Sequence, residues 1–264
     1  MGAALLAAVL TGLATVLGAV PFAFVRELPR RLYDGILGLG AGLMLSAATL
    51  GLLAEALRDL RADGELDGAR LLWVLLGFGS GIALAAAMDR LIPHRHAGGH
   101  HQHIGHEPGH DVHDREARRG YAVVGALTLH RIPEGLAIGA GFAMGGPSHL
   151  GLLLAIAVGL QNVCEGIVMA APLRQGGVSP MRGLSVVGLT GLATPAATLV
   201  GFWTAEIAAR SMPFLLALAA GTLIYITSNE IIPESHSHGH EGTASTGVAL
   251  GFLLTMVLQA VLHT

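Results

Sequence analysis

The sequence predicts an all-α polytopic membrane protein, and its composition and hydropathy both support this fold class. Of the 264 residues, 52% are hydrophobic and only 12% are charged, and the mean hydropathy is +0.62. A soluble domain of this length normally carries about a quarter charged residues. Glycine occurs 38 times and aromatic residues make up 5% of the chain, which is typical of helices that approach each other closely in lipid.

Eight apolar stretches are long enough to cross the roughly 30 Å hydrocarbon core of a bilayer, which takes about 17–25 helical residues. The first has no basic segment before it and no clear small-residue cleavage site, so we interpret it as a retained helix rather than a signal peptide. An even number of spans places both termini on the same side. We predict the spans at residues 3–24, 34–57, 70–92, 120–144, 149–171, 183–204, 212–233 and 245–263.

The distribution of arginine predicts the orientation of these spans. The connections after spans 1, 3, 5 and 7 contain nine arginines, or ten with Arg90, whereas the other connections contain four. Because cytoplasmic connections are enriched in basic residues, we expect both termini outside and a histidine-rich loop at about 93–119 in the cytosol. Residues 1–264 are expected to form a single transmembrane domain.

Charge and cysteine content exclude several classes of function. The formal net charge is −3, and binding to nucleic acid would need a basic face. The single Cys164 excludes a disulfide within one chain and a cysteine-based zinc cluster. The nucleotide-binding signature G-x-x-x-x-G-K-[ST] does not occur, so we expect no nucleotide-driven activity.

The fourth and fifth spans each contain a polar cluster at mid-depth that ends in Glu-Gly. The fourth reads His130-Arg131-Ile132-Pro133-Glu134-Gly135 and the fifth reads Gln161-Asn162-Val163-Cys164-Glu165-Gly166. A charged side chain at the bilayer centre costs about 2.5–3.5 kcal/mol on insertion scales, so these clusters are expected to face inward and to have partners. Corresponding Gly- or Pro-interrupted segments indicate a transporter's binding site, and Thr194-Pro195 is expected to interrupt the sixth span similarly.

The spacing within each cluster predicts the chemistry of a site. His130 and Glu134 are four residues apart and share one helix face, as Gln161 and Glu165 do. Two helices that meet on these faces bring together an imidazole, two carboxylates and an amide oxygen. This ligand set suits Zn²⁺ or its neighbours in the first transition row. The alternative is a structural hydrogen-bond network between the helices, which two neighbouring carboxylates disfavour.

These two helices resemble the metal-binding pair of the ZIP (Zrt-, Irt-like protein) family of divalent metal transporters, specifically its bacterial, GufA-like branch. That branch carries His-Asn-x-Pro-Glu-Gly on helix 4 and Gln-Asn/Asp-x-Pro-Glu-Gly on helix 5. The resemblance covers nearly the whole chain and includes the helix-7 segment Ser228-Asn229-Glu230-Ile231-Ile232-Pro233-Glu234. It implies a ZIP-like fold in which helices 4 and 5 form the metal site. It also implies that the protein transports metal into the cytosol through this site.

The resemblance also implies which residues bind the metal. The main site of the family takes two ligands from each motif and a methionine from helix 2. The segment Gly42-Leu43-Met44-Leu45-Ser46 matches that methionine's surroundings, although Met44 on its own would be interpreted as a core residue. The expected ligands are His130, Glu134, Gln161, Glu165 and Met44.

Two substitutions depart from the family pattern at a second metal site that many members have beside the first. Arg131 follows the helix-4 histidine where the family has Asn, and Thr194 replaces a Glu on helix 6, so only Asn162 remains as a ligand. A guanidinium is always protonated and only donates hydrogen bonds. We therefore expect no second metal and a fixed positive charge from Arg131 in its place, unless Arg131 extends toward an interface. Cys164 replaces a proline and is interpreted as a small core residue, with metal binding as the less favoured alternative.

Two further groups of histidines lie on the predicted cytosolic side. The eight histidines from His94 to His113 could buffer metal, or could form a solvated loop that binds metal only adventitiously; the sequence favours neither. The residues near the end of helix 7 predict an exit path for metal, with a plain polar helix end as the alternative. They are Glu230, Glu234, His236, His238 and His240.

The leading hypothesis is a transporter of Zn²⁺ in a bacterial inner membrane, with Cd, Fe, Mn, Co and Ni as open alternatives for the substrate. The expected partners are divalent metal ions, the lipid bilayer and a second copy of the chain, since the resemblance implies a dimer formed through helices 2, 3, 7 and 8. A metal sensor or a non-transporting relative, with Arg131 blocking the path, is the alternative. An intramembrane metalloprotease is disfavoured because it needs His-Glu-x-x-His and the helix-4 cluster has one histidine. We do not expect an enzyme.

Overall fold

The computed structural model describes residues 1–58, 61–62, 65–91, 110–143, 150–207 and 211–262. Within these ranges the long elements are all helices. The strands found there are two residues long, Arg61–Ala62 and Glu65–Leu66, and they pair antiparallel in the connection after the second helix. The all-α prediction is therefore confirmed.

Eight helical segments follow one another along the described part of the chain, and we number them α1 to α8. They are α1 (Gly2–Ala19, continued by a 3₁₀ turn at Val20–Ala23), α2 (Arg30–Ser46, continued by π-helical turns at Ala47–Leu53 and by Ala54–Ala56), α3 (Gly68–Leu91), α4 (His110–Ala143) and α5 (Leu150–Gln175). There follow α6 in two parts (α6a, Pro180–Thr190; α6b, Ala193–Ile207), α7 (Met212–Ile226, π-helical at Thr227–Ile231, then Ile232–Ser235) and α8 (Glu241–Leu262).

Seven of these segments are long and apolar enough to cross a membrane, and each corresponds to one of the predicted spans. α4 corresponds to the remaining span and is 34 residues long, with Pro133 inside it. Its first turns carry several charged residues. The seven segments are Gly2–Ala23, Arg30–Ala56, Gly68–Met88, Leu150–Gln175, Pro180–Thr204, Met212–Ser235 and Glu241–Val261.

Two predicted boundaries were wrong. α4 begins at His110 rather than near residue 120, so the end of the predicted 93–119 loop is helical; hydropathy marks only the apolar part of a helix, while Ala, Arg and Glu continue it readily into water. Residues 92–109 lie outside the described residues, and the role of the histidine-rich stretch stays a prediction. The break in α6 falls at residues 191–192 rather than at Thr194-Pro195, because proline is well tolerated in the first turn of α6b.

Glycines bring α1, α4, α5 and α6 together as a group that we call the first body. Gly18 of α1 lies against the backbone of Val163 in α5, and Gly139 of α4 lies against the backbone of Thr198 in α6b. A Cβ atom at either glycine would overlap the neighbouring backbone. Close contact of this kind is how helices associate in lipid, where hydrophobicity provides no drive between them.

The second body consists of α2, α3, α7 and α8 and is packed in the same way. Gly42 of α2 lies against the backbone of Val248 in α8, and Gly81 of α3 lies against the backbone of Leu218 in α7. Across the two bodies, α2 packs on α5 and α4 packs on α7. None of the described glycines makes a backbone contact across this boundary; Gly40, for example, approaches only the side chain of Cys164.

A polar layer crosses the first body between two apolar clusters. One cluster includes Ile138 of α4 and Leu154 of α5, together with apolar residues of α2 and α7. The other includes Leu127 of α4 and Met169 of α5, together with apolar residues of α1 and α6. The motifs of α4 and α5 lie between these clusters along each helix, so the surrounding packing excludes water from both sides.

Candidate metal centre

Both motifs are buried within the polar layer. Within each motif two polar residues, His130 and Glu134 on α4 and Gln161 and Glu165 on α5, are one turn apart and lie on one side of the helix. The six polar side chains are each at most 4% exposed: His130, Arg131, Glu134, Gln161, Asn162 and Glu165. Burying so many polar side chains costs free energy unless they form hydrogen bonds or ion pairs.

The two carboxylates of the layer converge on one amide group. Gln161 Nε2 donates a hydrogen bond to Glu134 Oε1 at 2.5 Å and a second to Glu165 Oε1 at 2.9 Å. Glu134 Oε2 is buried and has no hydrogen-bond partner among the described residues. The structure thus brings together three of the predicted ligands, one from α4 and two from α5.

Arg131 forms a buried ion pair with Glu165. Its Nη2 atom lies 2.9 Å from Glu165 Oε2, and the arginine side chain is fully buried. A charge-assisted hydrogen bond of this length is among the stronger ones in proteins. The guanidinium therefore does not extend toward a membrane interface, and its charge lies beside the Glu165 carboxylate.

His130 faces the second body. Its Nε2 atom lies 3.9 Å from Glu230 Oε1, and Glu230 belongs to the π-helical turn of α7. Met44, the predicted helix-2 ligand, is fully buried next to the same turn, because Thr227 Oγ1 lies 3.2 Å from Met44 Sδ. π-Helical turns often occur at functional sites. The sequence analysis missed Thr227, whose placement depends on this irregular turn.

Asn162 points away from the carboxylates and toward α1. Its Nδ2 atom donates to the backbone carbonyl of Thr11 at 2.9 Å, while its Oδ1 atom is buried without a partner among the described residues. Thr194, the other position that departs from the family pattern, is fully buried at the start of α6b. Cys164 is a buried free thiol packed near Gly40.

Two of the predicted exit-path histidines contact a carboxylate that the sequence analysis did not single out. Asp34 of α2 is fully buried; His238 Nδ1 lies 2.8 Å from its Oδ1 and His240 Nδ1 lies 3.2 Å from its Oδ2. Glu234 Oε1 is 4.0 Å from His238 Nε2. His236 instead bonds to α7 and α8. A single Asp in the apolar second span was the signal available for this cluster.

The charged groups of the polar layer are held by each other. Over the ranges that the structure describes, no three His, Cys, Asp or Glu side chains are arranged to hold a metal. The carboxylates are instead bound by Arg131 and Gln161. The carboxylates that could bind a metal are therefore hydrogen-bonded to neighbouring side chains in this structure.

Comparison with known proteins assigns the chain to a family. A family model described as "ZIP Zinc transporter" matches residues 94–259. The chain is 36% identical over 260 residues to the zinc transporter GufA of Myxococcus xanthus, with 98% of both chains covered. It is 37% identical over 252 residues to the zinc transporter ZIPB of Bordetella bronchiseptica, covering 94% of this chain and 78% of that one.

A more distant relative is the zinc transporter ZIP11 of Homo sapiens, which is 28% identical over 302 residues and is covered to 88% of its length. The match to the family model and the coverage of the two bacterial relatives agree with the seven apolar helices and with the two buried motifs. The chain therefore belongs to the ZIP zinc transporter family and is a multi-pass membrane protein.

Proposed function

We propose that this protein carries a divalent transition metal, zinc first, across a bacterial inner membrane into the cytosol. The observation that carries the proposal is the convergence of Glu134 and Glu165 on the amide of Gln161, in a layer closed off by apolar clusters. Two carboxylates so placed are a poor choice for structure alone. They supply the negative charge that a buried divalent cation needs.

In the loaded protein the metal replaces the internal hydrogen bonds of the layer. Rotation of the Gln161 amide about its last bond exchanges its NH₂ for its oxygen, so the group that now links the carboxylates becomes a ligand. His130 and Met44 complete the set from the side that faces the second body. Nitrogen, oxygen and sulfur ligands of this kind suit Zn²⁺.

The site holds one metal because Arg131 occupies the neighbouring position. Its guanidinium is bound to Glu165 and cannot act as a ligand. Asn162, the remaining ligand of a second site, is held against α1. The mononuclear site predicted from the sequence is thus supported by where these two side chains lie.

The proposed transport cycle moves the first body against the second. Backbone contacts through glycine occur within each body, whereas the boundary between them is formed by side chains. Side-chain contacts can be exchanged for others during sliding more easily than backbone contacts can. In this arrangement α4 also crosses the membrane, which brings the number of spans to eight and places both termini outside. The dimer formed through the second body stays a prediction.

The exit path runs along α7 to the cytosolic end of α2. His130 already lies near Glu230, and the cluster of Asp34, Glu234, His238 and His240 follows further along α7. The metal would pass from the imidazole of His130 to these carboxylates and imidazoles in turn. His236 takes part less directly, since its ring is bonded to α7 and α8.

A metal sensor is the second candidate function, and one observation favours it. The Arg131–Glu165 ion pair occupies a carboxylate that the metal needs, so a protein that binds metal without moving it would also show this contact. An intramembrane protease has less support, because the layer contains His130 as its single histidine among the described residues.

Metal uptake into proteoliposomes tests the proposal. Purified protein is reconstituted with a zinc-sensitive dye inside the vesicles, zinc is added outside, and Glu165→Ala serves as the control. Time-dependent uptake by the wild type alone supports transport, and repeating it with Cd, Mn, Fe, Co and Ni defines the substrate range. Zinc binding without uptake indicates a sensor, and zinc-dependent cleavage of a membrane-spanning reporter peptide indicates a protease.

A further inference from the structure

The Met44 sulfur has a polar contact on α7 that the proposed metal site leaves unexplained. Thr227 Oγ1 lies 3.2 Å from Met44 Sδ, and both side chains are fully buried. A methionine side chain is unbranched and has three rotatable bonds, so it adapts readily to its surroundings. A hydrogen bond to its sulfur therefore restricts where that sulfur points.

The register of α2 against α5 shows where this sulfur lies. A Cβ atom on Gly40 would lie 3.4 Å from the Cβ atom of Cys164. One on Gly51 would lie 3.6 Å from Leu154 Cδ2. Residue numbers thus rise along α2 as they fall along α5, and the two helices are antiparallel. The methionine, one turn after Gly40, is consequently level with Gln161, whose amide joins the two carboxylates.

The Thr227 hydroxyl has one proton and two acceptors within reach. Its Oγ1 atom lies 2.7 Å from the Leu223 carbonyl oxygen as well as 3.2 Å from the sulfur. The same carbonyl also accepts the backbone N–H of Thr227, so it stays paired when the hydroxyl proton turns to the sulfur. A thioether has two lone pairs, of which one can accept this proton while the other binds a metal.

The turn of α7 that contains Thr227 also contacts the first body. Thr227 begins the π-helical turn that ends at Ile231. In this turn Glu230 Oε1 lies 3.9 Å from His130 Nε2. π-Helical turns inside helices often occur at functional sites. One irregular turn thus contacts a predicted ligand from each body, which places Thr227 beside the proposed site.

We propose that Thr227 is a positioning residue, which holds the Met44 sulfur toward the metal and thereby sets how strongly the site favours soft metal ions. The inference rests on the proposed binding of metal in the polar layer. Hydrogen-bond partners of metal ligands fix their orientation, and losing one typically weakens metal binding about 10–100-fold. A thioether binds soft ions such as Cd²⁺, whereas hard ions such as Mn²⁺ depend on oxygen ligands. Thr227 therefore acts mainly on the binding of soft ions.

The test measures the affinity of the purified protein for Cd²⁺ and for Mn²⁺ by competition with a metal-binding dye. Thr227→Val removes the hydroxyl at nearly constant volume and leaves the Leu223 carbonyl paired with the backbone. The affinity for Cd²⁺ is expected to fall at least about tenfold, and that for Mn²⁺ less than about twofold. Thr227→Ser keeps the hydroxyl and is expected to stay within about threefold of wild type for both ions.

The matched control is Thr222→Val, on the same helix. Thr222 is also fully buried, but its hydroxyl contacts the backbone carbonyls of Gly81 and Leu218 and no predicted ligand. This variant is expected to leave the ratio of the two affinities unchanged. Thermal unfolding in detergent checks that each variant is folded, and Thr227→Ala is a second variant without the hydroxyl.

Repeating the measurement in the Met44→Leu background tests whether Thr227 acts through the sulfur. There Thr227→Val is expected to cause no further loss of Cd²⁺ affinity, because residues that act through one contact are not additive. A further loss in that background would overturn the proposal. Equal losses for both ions in the hydroxyl-free variants, or no loss for either, would overturn it as well. A folded wild type that binds none of Zn²⁺, Cd²⁺ and Mn²⁺ would instead refute the proposed metal site, and the inference with it.

Discussion

The first and second bodies both pack their helices through glycine, yet they differ in how their buried polar side chains are paired. In the second body, Thr222, Thr227 and Ser235 bond to backbone carbonyls, and Asp34 is bound by two histidines. Among the described residues of that body, Ser46 Oγ and Gln259 Nε2 are buried without partners.

Among the residues that the structure describes, the first body contains more buried polar atoms without hydrogen-bond partners. Besides the free donors of Arg131, they include Glu134 Oε2, Asn162 Oδ1 and the hydroxyls of Thr194 and Thr198. Each such group reduces stability, because protein interiors normally pair their polar atoms. These atoms lie in the motifs of α4 and α5 and in the first turns of α6b, whereas most of the buried polar side chains described in the second body are paired.

The largest effect is expected from removing a carboxylate or the imidazole of the polar layer. Glu165→Ala removes a ligand and also leaves the Arg131 charge buried and unpaired, at a cost of about 3–5 kcal/mol. Zinc uptake is expected to fall at least about a hundredfold, and His130→Ala is expected to abolish uptake as well. Uptake is measured in proteoliposomes after checking insertion and folding.

The control for this experiment lies in the second body. Thr222→Val alters a side chain that is equally buried but lies outside both the polar layer and the proposed exit path, and most of the uptake is expected to remain. Near-normal uptake by either Glu165→Ala or His130→Ala would contradict the assignment of the site. Equal losses in all three variants would remove the contrast between the two bodies.

Glycine substitutions test the packing that the two bodies share. Gly81→Ala places a methyl group against the Leu218 backbone and is expected to destabilise the protein by about 2–3 kcal/mol. Gly79, on the same helix, has nothing within 4 Å of an added Cβ, so Gly79→Ala is expected to be neutral or stabilising. Gly139→Ala and Gly125→Ala form the corresponding pair in the first body. Thermal unfolding in detergent provides the measurement, and equal melting temperatures within a pair would argue against close helix contact.

Metal stoichiometry tests whether Arg131 replaces a second metal. Wild type is expected to bind one metal per polar layer, and the double variant Arg131→Asn with Thr194→Glu is expected to bind two. The reason is that the variant removes the guanidinium and adds a carboxylate at the start of α6b. Native mass spectrometry or calorimetry counts the metals, with Arg131→Asn alone as the control. Two metals bound in the wild-type layer would rule the idea out.

The smallest effect is expected from the histidine-rich stretch. Replacing the eight histidines from His94 to His113 by serine leaves the polar layer intact. It also leaves the cluster of Asp34, Glu234, His238 and His240 intact. Zinc uptake is therefore expected to continue, with an altered response to metal on the cytosolic side. Initial rates with and without zinc loaded inside the vesicles measure this. Complete loss of uptake in a folded variant would show that the stretch is part of the pathway.

Local patterns in the sequence predicted most of the helices correctly. Hydropathy located seven of the eight spans as the structure has them, because the requirement to cross lipid acts on each segment separately. Hydropathy placed the start of α4 too late, since polar helical turns leave no hydropathy signal. The Thr194-Pro195 pair predicted a break in α6 that lies a few residues earlier, because a proline is tolerated in the first turn of a helix. The positions of both motifs followed from their charges at mid-depth.

By itself, then, the sequence determined that the chain is a multi-pass membrane protein, and it predicted which helices carry ligands and what chemistry those ligands have. Only the tertiary structure decided the pairings. Arg131 binds Glu165 rather than reaching an interface, His130 faces Glu230, and Asp34 meets two histidines about two hundred residues later in the chain. These contacts depend on which backbones touch and in what register, and in this fold glycines distributed over all eight helices set that register together.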